Sequence, residues 1–237
     1  MKEIIIILLT IIVMIFTMNA GENTLKFAED HALPEHDTLF YGLYDASDIK
    51  LIETIIVYDL TEEGVWITDF INESEILLDA VTLKPISGSK MFHNAGQAII
   101  IGTLVTEDSI YAHLLAKNEK DAADSTAPFQ HNETRSLPIP KSAFLHNDQL
   151  LYSFPAIDFT QKRHDFKLFV PASVSFIDVA AIIGKPEKIT TPAGEFEAYP
   201  VTFDFGTVKQ KAWYELEEPN RMLIYDNGTL QYRFEKG

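Results

Sequence analysis

The sequence predicts a mainly β protein: a single curved antiparallel sheet, a half-barrel, with one short helix packed against it. Three observations point there. Short runs rich in β-branched and aromatic residues alternate apolar and polar positions, turn-forming residues separate them at short spacings, and one stretch, 145–154, carries a helical stripe. Long helical patterns between the runs, as a parallel sheet would need, are missing from the sequence.

Composition allows one domain. The chain has 237 residues, 46% of them hydrophobic, with 11 Gly and 11 Pro, enough for one sizeable core and without low-complexity character. A formal net charge of −16 argues against nucleic acid, and against electrostatic docking on anionic head groups. With no Cys there are no disulfides, no thiolate metal sites, no thiol nucleophile and no lipid-modified N-terminal Cys. Residues 1–20 read as a signal peptide or an uncleaved N-terminal anchor: Lys2 supplies a thin basic start, 4–18 is almost wholly apolar, and Ala20 suits a cleavage site. Glu3 and Met18 fit cleavage less well, so both readings stand. Either one places the rest of the chain outside the cytoplasm, in the periplasm or secreted, with membrane contact only through that segment if it is retained.

The body begins with a polar linker over 21–39. Asp30, His31, Glu35, His36 and Asp37 could in principle ligate a metal, but the two His stand five positions apart around a Pro and nothing fixes their geometry, so solvated linker is the reading. From Phe40 a β domain is expected to run to Gly237. Strands at 51–59 and 65–71 flank a Thr61-Glu62-Glu63-Gly64 turn. Strands at 75–83, 91–92, 97–105 and 109–116 follow, broken by Pro85, Gly88, Gly96 and Thr106-Glu107-Asp108. Residues 117–135 read as a long surface loop. In 145–154, Asp148 can cap a helix whose Leu150, Leu151 and Phe154 form the stripe that Pro155 soon ends. Strands at 166–170 and 174–183 come next, the second apolar on both parities and so expected to be covered on both faces.

The last third specifies its own turns. Thr191-Pro192-Ala193-Gly194 reads as a type I turn closed by a G1 bulge. Gly206-Thr207 suits a type II′ loop, which would pair Phe205 with Val208, Phe203 with Gln210 and Val201 with Ala212 on an apolar face, and Asp204 with Lys209 and Thr202 with Lys211 on a charged one. Asn227-Gly228 suits a type I′ loop pairing Tyr225 with Leu230 and Leu223 with Tyr232.

Residues 182–201, with the segment Thr191-Pro192-Ala193-Gly194-Glu195-Phe196-Glu197-Ala198-Tyr199-Pro200-Val201 at their heart, followed by Lys211-Ala212-Trp213-Tyr214, resemble domain-of-unknown-function family 3108. Leu78 to Pro85 and Asp148 to Tyr152 resemble further segments of that family. The resemblance implies a secreted or periplasmic protein without established activity, and a fold similar to the half-barrels of the outer-membrane lipoprotein carrier and receptor proteins.

Chemistry is sparse. Ser87-Gly88-Ser89-Lys90 matches the S-x-x-K spacing of acyl-transfer enzymes, but between Pro85 and a strand it lacks the helix start that this chemistry needs. Nucleophile-elbow, zinc-protease and nucleotide-binding motifs are not found, so neither catalytic residues nor a cofactor or metal are assigned. His146 and His164 read as a helix flank and a turn residue, and Glu195 and Glu197 as a solvated face beside a hairpin tip. The candidate ligand face is apolar: Val201, Phe203 and Phe205 with Leu223, Tyr225, Leu230 and Tyr232. Trp66 and Trp213 share parity with polar neighbours and are candidate exposed aromatics, unless Pro200 across the hairpin covers Trp213. Three functions follow: a non-enzymatic envelope module binding a lipid, another apolar ligand or a partner segment; a structural or interaction domain with a filled core; and, third, a hydrolase.

Overall fold

In the computed structural model, which describes residues 24–29, 33–121 and 126–237, the strand-and-turn rhythm becomes one sheet. The segment 1–20, with Asp30 and His31, lies outside the described residues. Sixteen strands are described: β1 His36–Asp45, β2 Lys50–Thr61, β3 Gly64–Asp69, β4 Ser74–Leu78, β5 Pro85–Asn94, β6 Gln97–Val105, β7 Ser109–Asn118, β8 His131–Pro138, β9 Phe144–His146, β10 Arg163–Val170, β11 Ser175–Ile183, β12 Glu187–Thr191, β13 Gly194–Asp204, β14 Lys209–Glu215, β15 Met222–Asp226 and β16 Leu230–Lys236. They run in the order β8-β7-β6-β5-β4-β3-β2-β1-β16-β15-β14-β13-β11-β10-β9, with β12 on β13. The pairings are antiparallel except β9 with β10. The sheet curls strongly without closing into a barrel. Its concave face wraps a short helical run in which α1, Leu150–Ser153, is flanked by single 3-10 turns.

Two of the three C-terminal hairpins form in the expected register. Val201 pairs with Ala212, Phe203 with Gln210 and Asp204 with Lys209, around Gly206 at φ +85°. Thr191 pairs with Gly194, which takes φ +139°. The third is shifted: Tyr225 pairs with Tyr232, not Leu230, because the two-residue loop is Gly228-Thr229 rather than Asn227-Gly228. Gly228 alone takes the positive φ, and the Asn227 carboxamide oxygen accepts the Thr229 and Leu230 N–H groups at 2.9 and 2.8 Å. Asn227 thus brackets the turn with its side chain, as Asx residues do. A two-residue shift preserves parity, so the same side chains still face inward.

Other expectations are corrected. β5 is continuous through Pro85 and Gly88. Pro85 opens the strand, where its missing N–H is not needed. Gly88 fits a close approach, since a Cβ there would lie 3.1 Å from Thr103 Oγ1 and 3.3 Å from Glu75 O. The supposed loop at 117–135 contains the start of β8, an exposed edge strand whose polar sequence reflects its solvent exposure. β11 is covered on one face only: Val179, Ala181 and Ile183 are buried while Ile182 is 39% exposed. The described part of the supposed linker is packed: Leu25 and Leu33 are buried, and the Leu25 N–H donates to Asp165 O at 3.3 Å.

The helical run is capped by His146, not Asp148. The His146 Nδ1 accepts from the Asp148 N–H at 3.2 Å, while Gln149 Oε1 accepts from the His146 N–H at 3.0 Å, a reciprocal capping box. So short a helix leaves its last carbonyls without helical partners. Tyrosine hydroxyls from the sheet fill the gap: Tyr58 donates to Tyr152 O at 3.0 Å and Tyr214 to Leu151 O at 3.1 Å. Burial pushes both phenols up, keeping them neutral donors.

Candidate functional site

The expected ligand face is divided along its length. At the floor it is closed. Val201, Phe203 and Leu223 are fully buried, and the Phe154 ring from the helical run meets Phe203 edge-on at 4.8 Å and Tyr214 at 5.6 Å. Aromatic packing of this kind stabilises beyond its buried area.

Toward the end that carries the β13–β14 and β15–β16 turns, the face opens. Phe205, Tyr225 and Tyr232 line a cavity of about 550 Å³ together with Leu151, Ile177 and Val208. Leu230, half-buried, packs against the core beside them. Tyr225 and Tyr232 lie 5.7 Å apart, and the Tyr225 hydroxyl donates to Gln210 Oε1 at 2.6 Å.

The cavity bottom is polar, and the sequence did not disclose it. Asp69 is buried, and its carboxylate accepts from the Tyr152 hydroxyl at 2.5 Å and from Asn72 Nδ2 at 2.6 Å. Beside it Lys90 Nζ donates to Asp148 Oδ1 at 3.0 Å. Asp69 ends β3 and Asn72 lies in the turn after it, Lys90 comes from β5, and Tyr152 and Asp148 from the helical run. Nothing in the local sequence joins these elements; only sheet curvature does. Lys90 belongs to the S-x-x-K match, which the structure places inside a strand, where Ser87 and Lys90 face opposite sides.

The two buried histidines are structural. His146 is buried and neutral: its Nδ1 accepts the capping N–H, so Nε2 carries the proton toward Thr103 Oγ1 at 3.2 Å, and that hydroxyl donates on to Gly88 O at 3.2 Å. Burial lowers its pKa to about 4. His164 sits in β10 rather than in a turn. Its Nδ1 accepts from the Lys26 N–H at 3.3 Å, its Nε2 donates to Asp158 O at 3.1 Å, and burial lowers its pKa. His36 meets Asp59 at 2.7 Å on the surface. Glu195 and Glu197 are both exposed.

Both tryptophans are half-buried, not exposed. Trp213 lies opposite Pro200, and its indole N–H donates to Glu187 Oε1 at 2.6 Å. Trp66 lies between Asp59 and Leu77 on the convex face. Among the described residues the aromatic most open to solvent is Phe70, 59% exposed in the turn after β3. Among the described residues no cluster of His or acidic side chains could hold a metal ion, and no helix is long and apolar enough to cross a membrane.

This geometry defines the class: an open β half-barrel closed at its floor by a short helix. No family model matches the chain, family 3108 included, and no curated protein is significantly similar to it. Two solved structures are similar in backbone course. One is a β-barrel-like protein of domain of unknown function 1849 from Brucella abortus, 12% identical, TM-score 0.49, covering 86% of this chain and 96% of that one. The other, from Bacteroides fragilis, is described as exported and YmcC-like in fold, 10% identical, TM-score 0.28, covering 90% and 98%. At these identities and scores neither lends this chain an activity, a ligand or a location.

Proposed function

We propose that the protein is a non-catalytic binding module of the extracytoplasmic space, whose mouth cavity takes an apolar ligand or a segment of a partner protein. The observation that carries this reading is the division of one sheet face: packed shut at Phe203, open at Phe205, Tyr225 and Tyr232. About 550 Å³ lies within the roughly 300–1,000 Å³ of small-ligand sites, and apolar walls over a few fixed polar groups are their usual lining. The apolar run at 4–18 supports the location. Against a hydrolase, both buried histidines spend their ring nitrogens on structural hydrogen bonds, so neither is a free base.

A neutral fluorophore such as N-phenyl-1-naphthylamine tests the cavity: wild type should bind saturably, and Phe205→Ser should abolish binding while melting nearly as wild type. Binding that survives Phe205→Ser would remove this cavity from consideration. The filled floor supports a second reading, a structural or interaction domain without a ligand, which complete absence of binding would favour. Cell fractionation tests location, where a cytosolic pool retaining Met1 would refute it.

A further inference from the structure

The sheet fails to close between β8 and β9, and a second cavity of about 770 Å³ sits at the lower end of that seam, away from the mouth. The connection from β8 to β9, the turns after β4 and β6, and the segment around Phe27 enclose it. Its walls are mainly apolar, including Leu83, Ile86, Val105, Ile139 and Phe144. Its rim carries two lysines, Lys84 and Lys141, both exposed.

Neither lysine forms an ion pair among the described residues, although the chain carries 35 acidic against 19 basic side chains. For Lys84 the reason is visible. The nearby Asp79 carboxylate turns back into its own turn, accepting from the Thr82 N–H and hydroxyl, both at 2.7 Å. The same turn holds Leu83 at φ +53°, a left-handed conformation that a bulky side chain adopts at a cost. Its carbonyl accepts from Gln149 Nε2 at 3.0 Å, which fixes the strained residue with its side chain inward and the next residue, Lys84, outward. Asp79 still feels the Lys84 charge but forms no ion pair with it, and an apolar slot under two cations that lack ion pairs is complementary to a chain with one anionic end.

We propose that this slot holds a single aliphatic chain ending in a carboxylate, the tail between Ile86, Val105 and Ile139 and the carboxylate between Lys84 and Lys141. Glu107, the one acidic residue on the rim, opposes the head group and limits its affinity. This site is separate from the mouth and stands or falls without it.

Titration with cis-parinaric acid, a fluorescent fatty acid, and with its methyl ester tests the assignment. Wild type should bind the acid more tightly than the ester. The double variant Lys84→Ala/Lys141→Ala should lose about tenfold in affinity for the acid, since each exposed pair contributes up to roughly a factor of five, and should leave ester binding unchanged. Glu107→Gln should tighten the acid alone. Ser142→Trp, an exposed rim position, should block both probes without lowering the melting temperature. Phe205→Ser should change neither. Failure of wild type to bind the acid, equal affinity of a normally melting double-lysine variant, or loss of binding on Phe205→Ser alone would each overturn the proposal.

Discussion

Phe203, in β13, and Phe205, just past its end, stand two residues apart, and the molecule treats them oppositely. Phe203 is fully buried against Phe154, in a floor where the helical run, four strands and the tyrosine hydroxyls interlock. Phe205 is half-buried at the edge of a cavity. One continuous apolar stripe can thus serve as core at one end and as wall at the other. The helix's position decides where the change falls, and a strand pattern cannot report that.

The sharpest way to break this comparison is Phe203→Ser. It should cost about 3–5 kcal/mol in denaturant unfolding, because it opens a cavity in the aromatic cluster and buries a hydroxyl there. A loss below ~1 kcal/mol would mean that the floor is not filled.

Acid should loosen the same floor next. The His146 pKa is lowered from 6.5 to about 4 in the folded chain, so between these values the unfolded chain binds a proton that the native one refuses. Stability should therefore fall as pH drops from about 6.5 toward about 4, by roughly 2–3 kcal/mol, with His164 contributing in the same direction. Unfolding curves at pH 7 and 4.5 should show a smaller difference for His146→Gln than for wild type. Identical differences would show that the capping histidine is not the sensor.

Gly194→Val probes a turn outside both regions. It should cost about 1–2 kcal/mol, because Gly194 holds a positive φ that a β-branched residue resists, whereas Glu195→Gln should stay within about 0.5 kcal/mol. The smallest effect is expected of Phe205→Ser, below about 1 kcal/mol on unfolding, which turns the contrast with Phe203→Ser into a direct measurement from the strand to its end.

Legibility followed how local each feature is. The hairpins at Gly194 and Gly206 were readable because their glycines and the flanking alternation lie within a dozen residues. The Asn227-Gly228 register slipped because Asn can enter a turn through its backbone or through its side chain, and only the structure shows the second. The polar sequence of β8 looked like a loop because edge strands are not asked to bury much. The polar cavity bottom was invisible: Asp69, Lys90 and the helical run that carries Asp148 and Tyr152 are separate elements, and their meeting depends on curvature. Tyr58 and Tyr214 looked like ordinary apolar strand residues, and their role as acceptor-seeking hydroxyls follows only from a helix too short to satisfy its own carbonyls.

The pairing of β1 with β16 at the middle of the sheet has a consequence for how the molecule is built. β1 to β8 form one meander, and β9 to β16 pair with near neighbours too, with β9 parallel to β10 and β12 set aside on β13, so each half can assemble from contacts close in sequence. Their joint is different: Phe40 meets Lys236 and Asp45 meets Leu230, partners from opposite ends of the described chain. Until that keystone strand docks, β1 and β15 are bare edges, the kind of surface that recruits wrong partners. Shortening the chain by these seven residues, Leu230–Lys236, would remove the strand that joins the two half-sheets by backbone hydrogen bonds and leave side-chain contacts such as Tyr58 to Tyr152 O and Lys90 to Asp148 to hold them together.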